Sequence, residues 1–418
     1  MSTAQHPARN WAGNVTFGAR AVHRPHTLDA LREVVAESPR VRALGSGHSF
    51  SAVTDTTGDL VALDALPPLV EVSGSTATVG AGMTYGEVAA RLHAEGVALG
   101  ALASLPHISV AGSVATATHG SGTAHRCLAA DVRAVHLLTP EGDLTTISRD
   151  TTPDTLPGAV VALGGLGVVT ALTLDVEPTY EVAQDVLLDV PLDEVERDFA
   201  AVHTAASSVS TFTRWQDGTA SVFLKNRVGH TGSGWRAGTP ATTTVHPVPG
   251  MSTASSTQQL GVPGPWFERL PHFRPELKPS SAGAELQSEV YVPLAGAREA
   301  IGALRAIADV VAPVLQIAEI RTVAADDLWL SPAHRRDSLT IHFTWVHDTG
   351  AALPAVKAVE DALRPLGARP HWGKLTTMAP EEVVAHYPRA QDFTTLLRTM
   401  DPGGKFTNDL LDAHFPRG

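Results

Sequence analysis

Val41-Arg42-Ala43-Leu44-Gly45-Ser46-Gly47-His48-Ser49-Phe50 reads as a buried strand running directly into a glycine-rich turn that carries a histidine. Glycines lack a Cβ, so successive backbone N–H groups can converge on an anion, as binding a pyrophosphate requires. The chain is acidic, with 31 Lys and Arg against 43 Asp and Glu and a net charge of −12. Backbone amides let such a chain hold a phosphate without lysines. The same residues also fit a plain Gly-rich turn with a surface histidine. Outward from this stretch, strands alternate with short helices. Leu28, Leu31, Val34 and Val35 share one helical face behind a Thr27 N-cap. Thr84-Tyr85-Gly86-Glu87 is a capping box, with Val88 and Leu92 one turn apart behind it. Val168 to Val176 alternates and stops at Pro178. This interleaving fits an α+β or α/β lobe.

Composition narrows the function. At 418 residues, two or three lobes are expected, and 43% hydrophobic with 18% charged residues supports sizeable cores. The acidic balance argues against a nucleic-acid partner, which needs clustered Lys and Arg. The single cysteine, Cys127, excludes an intrachain disulfide or a Cys-based metal cluster and points to a reducing compartment. The opening residues 1–10 have no apolar core of a leader. The uncharged run Thr155–Leu174 holds Pro157 and four glycines, so it reads as strand, tight turn and strand rather than a membrane span. A cytoplasmic monomer without membrane or metal is expected. His23 and His26 have metal-like spacing, but Pro25 between them reads as a turn. The dinucleotide Gly-x-Gly-x-x-Gly, the P-loop, the Gly-x-Ser-x-Gly elbow and His-Glu-x-x-His are all absent.

Two further regions carry chemistry. The stretch from Ala103 to Gly122 has no formal charge, yet holds Ser104, Ser109, Ser113, Thr116, Thr118 and Ser121. Such a wall of amides and hydroxyls suits a phosphate-bearing cofactor, although hydroxyls bonded to local carbonyls in a core segment would look alike. Beyond a Gly-, Pro-, Ser- and Thr-rich loop from Thr231 to Pro265 come strand candidates Ala284–Pro293, Val314–Val323 and Ser338–His347, with helix candidates near Gly296–Val311 and Ala355–Leu366. Strand side chains alternate faces, so Glu319 and Arg321 point the same way, about 6.6 Å apart. Thr340, His342 and Thr344 share a polar face opposite Leu339, Ile341, Phe343 and Trp345. The expectation is a sheet backed by helices with one wet, catalytic-looking face; an ordinary half-exposed sheet with a salt bridge fits too. Lys374 stands in the aromatic, glycine-containing turn Arg369-Pro370-His371-Trp372-Gly373-Lys374.

Together these motifs resemble the vanillyl-alcohol-oxidase-type flavoproteins, and among them the alditol (xylitol) oxidases. The resemblance runs nearly end to end, through Asn10-Trp11-Ala12-Gly13-Asn14, His246–Gly250, Gly261–Trp266, Glu319–Ala325, His342–Trp345, the Lys374 turn and Lys405-Phe406-Thr407-Asn408 in the same order. One departure is Ala117, where glycine is expected before Thr-His-Gly.

The resemblance implies an α+β, two-lobed FAD-binding fold of the PCMH type, with a substrate lobe built on an antiparallel sheet backed by helices. The expected division is an FAD lobe at 1–178, a substrate lobe at 179–370 and a C-terminal segment at 371–418 that returns to the FAD lobe. It implies covalent FAD through His48. Cofactor contacts are implied for Ala43, Leu44, Gly45, Ser46, Gly47, Ser49, Ser104, Ser109, Gly112, Ser113, Thr116, Thr118 and His119, and for Val168 and Val169 at the adenine. Arg321 and Lys374 would stabilise a developing alkoxide, and His342 or Lys374 would take the proton. Glu319, with Ser104 and Thr344, would hold substrate hydroxyls. The implied reaction oxidises a polyol at its terminal carbinol carbon and reduces molecular oxygen to hydrogen peroxide. The alternatives are an aldonolactone or oligosaccharide oxidase or dehydrogenase of the same fold, a non-catalytic flavin- or glycan-binding protein and, least supported by ligand spacing, a metallohydrolase.

Overall fold

A computed structural model of the chain describes residues 9–278 and 283–417. Most of the opening stretch read for a leader (residues 1–8) lies outside the described residues. Among the described residues, Val41–Leu44 pairs in parallel with Asp59–Ala62, which pairs with Ala21–His23. An antiparallel sheet follows in the order Val70–Ser73, Thr76–Gly80, Val168–Asp175, Val132–Leu138 and Leu144–Ser148. A larger antiparallel sheet holds the central neighbours Ser208–Thr213, Leu315–Val323, Ser338–Val346 and Glu285–Pro293 in that order. Helices Ala297–Ala306 and Thr349–Leu363 back it. This is the expected α+β architecture.

Local signals mostly act as read. Thr27 caps Leu28–Glu37, with Leu31 and Val35 buried. The Thr84–Glu87 capping box starts Tyr85–Ala94. Three expectations are corrected. The first half of Thr155–Leu174 is a short helix, Leu156–Val160, with Pro157 in its first turn, where a missing N–H is harmless. The helix expected near Ala355 starts at Thr349, because the Asp348 side chain caps it by accepting from Ala351 N, and Pro354 lies within the helix. The polar face of Ser338–Val346 is not wet: Thr340, His342 and Thr344 are buried, because the amino-terminal third packs over this face and leaves only a cavity between. No helix among the described residues is long and apolar enough to cross a membrane.

The C-terminal segment is fastened to the amino-terminal third. Lys405 O accepts from Val41 N at 3.0 Å, and Lys405 Nζ donates to Val35 O, Ala36 O and Pro140 O. Asn408 caps Asp409–His414 and also donates to Asp55 O at 2.9 Å. Arg42, buried in its strand, donates to carbonyls of Phe406, Val53 and Leu163. These contacts hold the start of the glycine turn in place.

Candidate active site

The turn after Val41–Leu44 and the start of the helix Val110–Ala115 are locked together. Ser46 N donates to Ser109 Oγ at 3.3 Å, and Ser109 N donates to Ser46 Oγ at 3.2 Å. A Cβ on Gly45 would come within 2.4 Å of Ser109 Oγ, so a side chain there displaces the hydroxyl that accepts from Ser46 N. Gly47 adopts φ +70°, a left-handed conformation favourable to glycine. Ala117 adopts φ 57° without being glycine, which explains why glycine suits that position.

This cradle forms one wall of a cavity of about 300 Å³. Ala43 through Ser49, Ser104, Ser109, Gly112, Ser113, Thr116, Thr118, His119 and Val169 line it. So do Glu319, Arg321, His342 and Thr344 from the large sheet, and Lys374 from the turn stitched to His48. Val168 does not: its side chain is buried in a separate cluster with Leu31, Val35 and Val41, because neighbouring strand residues face opposite ways.

His48 stacks on Trp11 with ring centroids 4.9 Å apart, and its Nδ1 is buried without a hydrogen-bond partner among the described residues. Burial, with His107 and Lys374 nearby, lowers its pKa to about 4, so the ring is neutral at pH 7. Phe50 N donates to Gly373 O at 2.7 Å and Ser51 Oγ to Trp372 O at 2.7 Å, which stitches the His48 turn to the Lys374 turn. A glycine-lined amide cradle, beside a buried neutral imidazole whose Nδ1 has no partner among the described residues, fits a bound dinucleotide cofactor.

On the opposite wall, the strand registers place Glu289 opposite His342, and His342 opposite Glu319. Glu289 is the hub that sequence reading missed. Its Oε1 lies 2.7 Å from Arg321 Nη2 and 2.9 Å from His119 Nε2, and its Oε2 lies 3.6 Å from His342 Nδ1. His119 Nδ1 also reaches Gly120 O at 2.8 Å, so both of its ring nitrogens are engaged by protein atoms rather than offered to a cofactor. Arg321 Nε lies 3.6 Å from Glu319 Oε2. Burial alone would lower the Arg321 pKa, but Glu319 and Glu289 outweigh it and hold it above the usual value. Burial would likewise raise Glu289; Arg321 and His119 reverse this and keep it ionised. His342 is lowered by burial, against the pull of Glu289, and its Nε2 lies 3.3 Å from Thr344 Oγ1. Lys374 is lowered by burial to about 8; it bonds to Gln287 and lies 5.1 Å above the Phe50 ring.

Glu285, Gln287 and Glu289 alternate with Leu286, Ser288 and Val290 in the strand Glu285–Pro293. The alternation that marks Glu319 and His342 is therefore present here too. His272 and Lys225, which stand behind Glu319, gave no comparable signal.

An FAD binding domain family matches residues 19–148, and a D-arabinono-1,4-lactone oxidase family matches residues 285–414. An alditol oxidase from a Streptomyces strain is 51% identical over 423 aligned residues, spanning 99% of this chain and 100% of that protein. The L-gulonolactone oxidase of Scyliorhinus torazame is 25% identical, spanning 99% of each chain. A crystal structure of cholesterol oxidase from B. sterolicum shares the fold at a TM-score of 0.74 and 15% identity, covering 98% of this chain and 96% of that one. Full-length identity to the Streptomyces protein, together with an FAD-binding domain around the glycine cradle, shows that this chain belongs to the alditol oxidase family of FAD-dependent oxidoreductases.

Proposed function

We propose that this protein oxidises alditols such as xylitol and sorbitol at the terminal carbinol carbon, with FAD attached covalently through His48. The observation that carries the reading is the convergence of Arg321, Lys374, His342, Glu319 and Thr344 on the cavity that the glycine cradle also lines. Ala43, Leu44, Gly45, Ser46, Gly47, Ser49, Ser109, Gly112, Ser113, Thr116, Thr118 and Val169 would wall the FAD site, and the flavin would supply a hydride acceptor and a two-electron route to molecular oxygen, with hydrogen peroxide as the product.

The residues of the opposite wall solve an acid–base problem. An alcohol hydroxyl has a pKa far above 7, so hydride loss from its carbon needs positive charge at the oxygen and a base for the proton. Arg321, held ionised between two carboxylates, stabilises the developing alkoxide together with Lys374. His342, kept neutral by burial, accepts the proton, and Glu289 offsets the imidazolium charge that results. Glu319, Ser104 and Thr344 hold further hydroxyls, which favours polyols over simple alcohols because a site of paired donors and acceptors leaves buried groups unmatched when hydroxyls are missing. The lobe division at 1–178, 179–370 and 371–418 and a cytoplasmic, monomeric state complete this reading, the compartment resting on the single buried thiol of Cys127.

The matching aldonolactone oxidase family at residues 285–414 favours lactone oxidation as the second reading. An oxygen-electrode screen over xylitol, sorbitol, glycerol and L-gulono-1,4-lactone, with peroxide detection, separates the two. Polyol-dependent oxygen uptake with stoichiometric peroxide is expected; faster turnover of the lactone would transfer the assignment to the second reading.

A further inference from the structure

The polar wall of the cavity continues behind Glu319. Glu319 Oε1 lies 3.1 Å from His272 Nε2, and His272 Nδ1 lies 3.2 Å from Lys225 Nζ, which also donates to the Leu270 carbonyl. Lys225 is 2% exposed and His272 and Glu319 are 6% exposed each, so water does not compete for these bonds. While Lys225 is an ammonium it only donates, so in that state His272 Nδ1 accepts and the ring's proton sits on Nε2, facing Glu319. The ring cannot turn away. It is wedged edge-on between Phe212 and Phe223 at 5.3 and 5.6 Å, and His272 N donates to Ser104 O at 2.9 Å. Lys225, His272 and Ser104 also border a small second cavity walled by Ser121, Ser208 and Ser210.

We propose that Lys225 and His272 are positioning residues for the polyol site: the ammonium fixes the tautomer of His272, and His272 fixes the Glu319 carboxylate as an ionised, oriented acceptor for substrate hydroxyls. This rests on the polyol-oxidising reading above. The physical reason is a matter of lone pairs. If Lys225 lost its proton or its nitrogen, His272 could place its proton on Nδ1. A ring lone pair would then face the carboxylate, and Glu319 would turn away or take up a proton. Burial lowers Lys225 to about 7, against the pull of Glu319, so the ammonium is lost near neutral pH. The groups facing it are Glu319, Arg321 and His272, with His125 across the small cavity.

The test uses the FAD-loaded enzyme with Lys225→Met and Lys225→Arg, read as kcat and KM for xylitol from pH 6 to 9. It also uses the ring nitrogen NMR signals of ¹⁵N-histidine-labelled protein, with His272→Gln identifying the signal. Lys225→Met is expected to raise KM about tenfold, the size of one lost charge-assisted bond, with a smaller effect on kcat and no further rise of KM with pH. Lys225→Arg, which stays charged, is expected to keep KM low beyond the pH at which the wild type loses affinity. His272 should show an unprotonated Nδ1 and a protonated Nε2 in the wild type, and mixed tautomers in Lys225→Met. A wild-type KM and pH profile in Lys225→Met, or a kcat loss at unchanged KM, overturns the proposal. So does a wild-type His272 proton found on Nδ1 at pH 6, where Lys225 is an ammonium. If the wild type oxidises no polyol, the functional reading fails, and the tautomer still decides the pairing by itself.

Discussion

Arg321 remains charged inside the protein because two carboxylates face it, and Glu289 binds the more closely, at 2.7 Å. Removing one partner of such a group leaves a buried charge uncompensated, at a cost of several kcal/mol. Glu289→Gln should therefore lower kcat at least tenfold, because it loosens Arg321 and withdraws the counter-charge from His342 together. Steady-state kinetics with xylitol decide this; an unchanged kcat would remove Glu289 from the mechanism. His342→Asn should abolish the acidic limb of the pH–rate profile, since that limb reports protonation of the base. A limb that survives would assign the proton to Lys374. At the other wall, His48→Ala should leave flavin extractable: after acid precipitation the yellow colour should pass to the supernatant, and a yellow pellet would exclude attachment at His48. Glu319 and Arg321 were legible from alternation along one strand. Glu289 was equally legible in Glu285-x-Gln287-x-Glu289, but its importance comes from which strands are neighbours.

At the scale of elements, the cofactor cradle depends on one contact between a turn and a helix start. Gly45→Ala would force a Cβ to 2.4 Å from Ser109 Oγ, so either the turn or Ser109 must move. The expected outcome is a drop in flavin bound per protein, read from visible against ultraviolet absorbance. Partial recovery is expected in Gly45→Ala/Ser109→Ala, which removes the clashing oxygen. Full flavin content in the single variant would show that the turn tolerates a side chain. The turn and the strand before it were visible in the sequence because glycine spacing and hydrophobic runs are local signals. The helix Leu156–Val160 was not, because a five-residue helix carries too little periodicity to outweigh four neighbouring glycines.

For the whole molecule, burying histidines in their neutral form makes stability sensitive to acid. His203 and His272 are held at about 4 and His371 at about 3, each mainly by burial, whereas an unfolded histidine titrates near 6.5. Their folded pKa values are depressed, so the stability they confer is complete above about 6.5 and is lost as pH falls towards 4, where only the unfolded chain binds the protons. The unfolding free energy should fall between pH 6.5 and pH 4.5, by an amount on the order of 1–3 kcal/mol per histidine, and the urea midpoint should fall with it. A flat midpoint across that range would mean that these rings protonate without unfolding.

The amino-acid sequence by itself determined the secondary elements with clear caps and alternation, the glycine cradle, and the faces that carry Glu319, Arg321, His342 and Thr344. Each follows from interactions between residues a few positions apart. Only the tertiary structure decided that Glu289 is the hub, that Val168 turns into a core while Val169 faces the cavity, and that Lys225 reaches Glu319 through His272. Those facts depend on strand order and register across one sheet and on the packing of two lobes, where residues far apart in the chain meet and no local pattern specifies the partner.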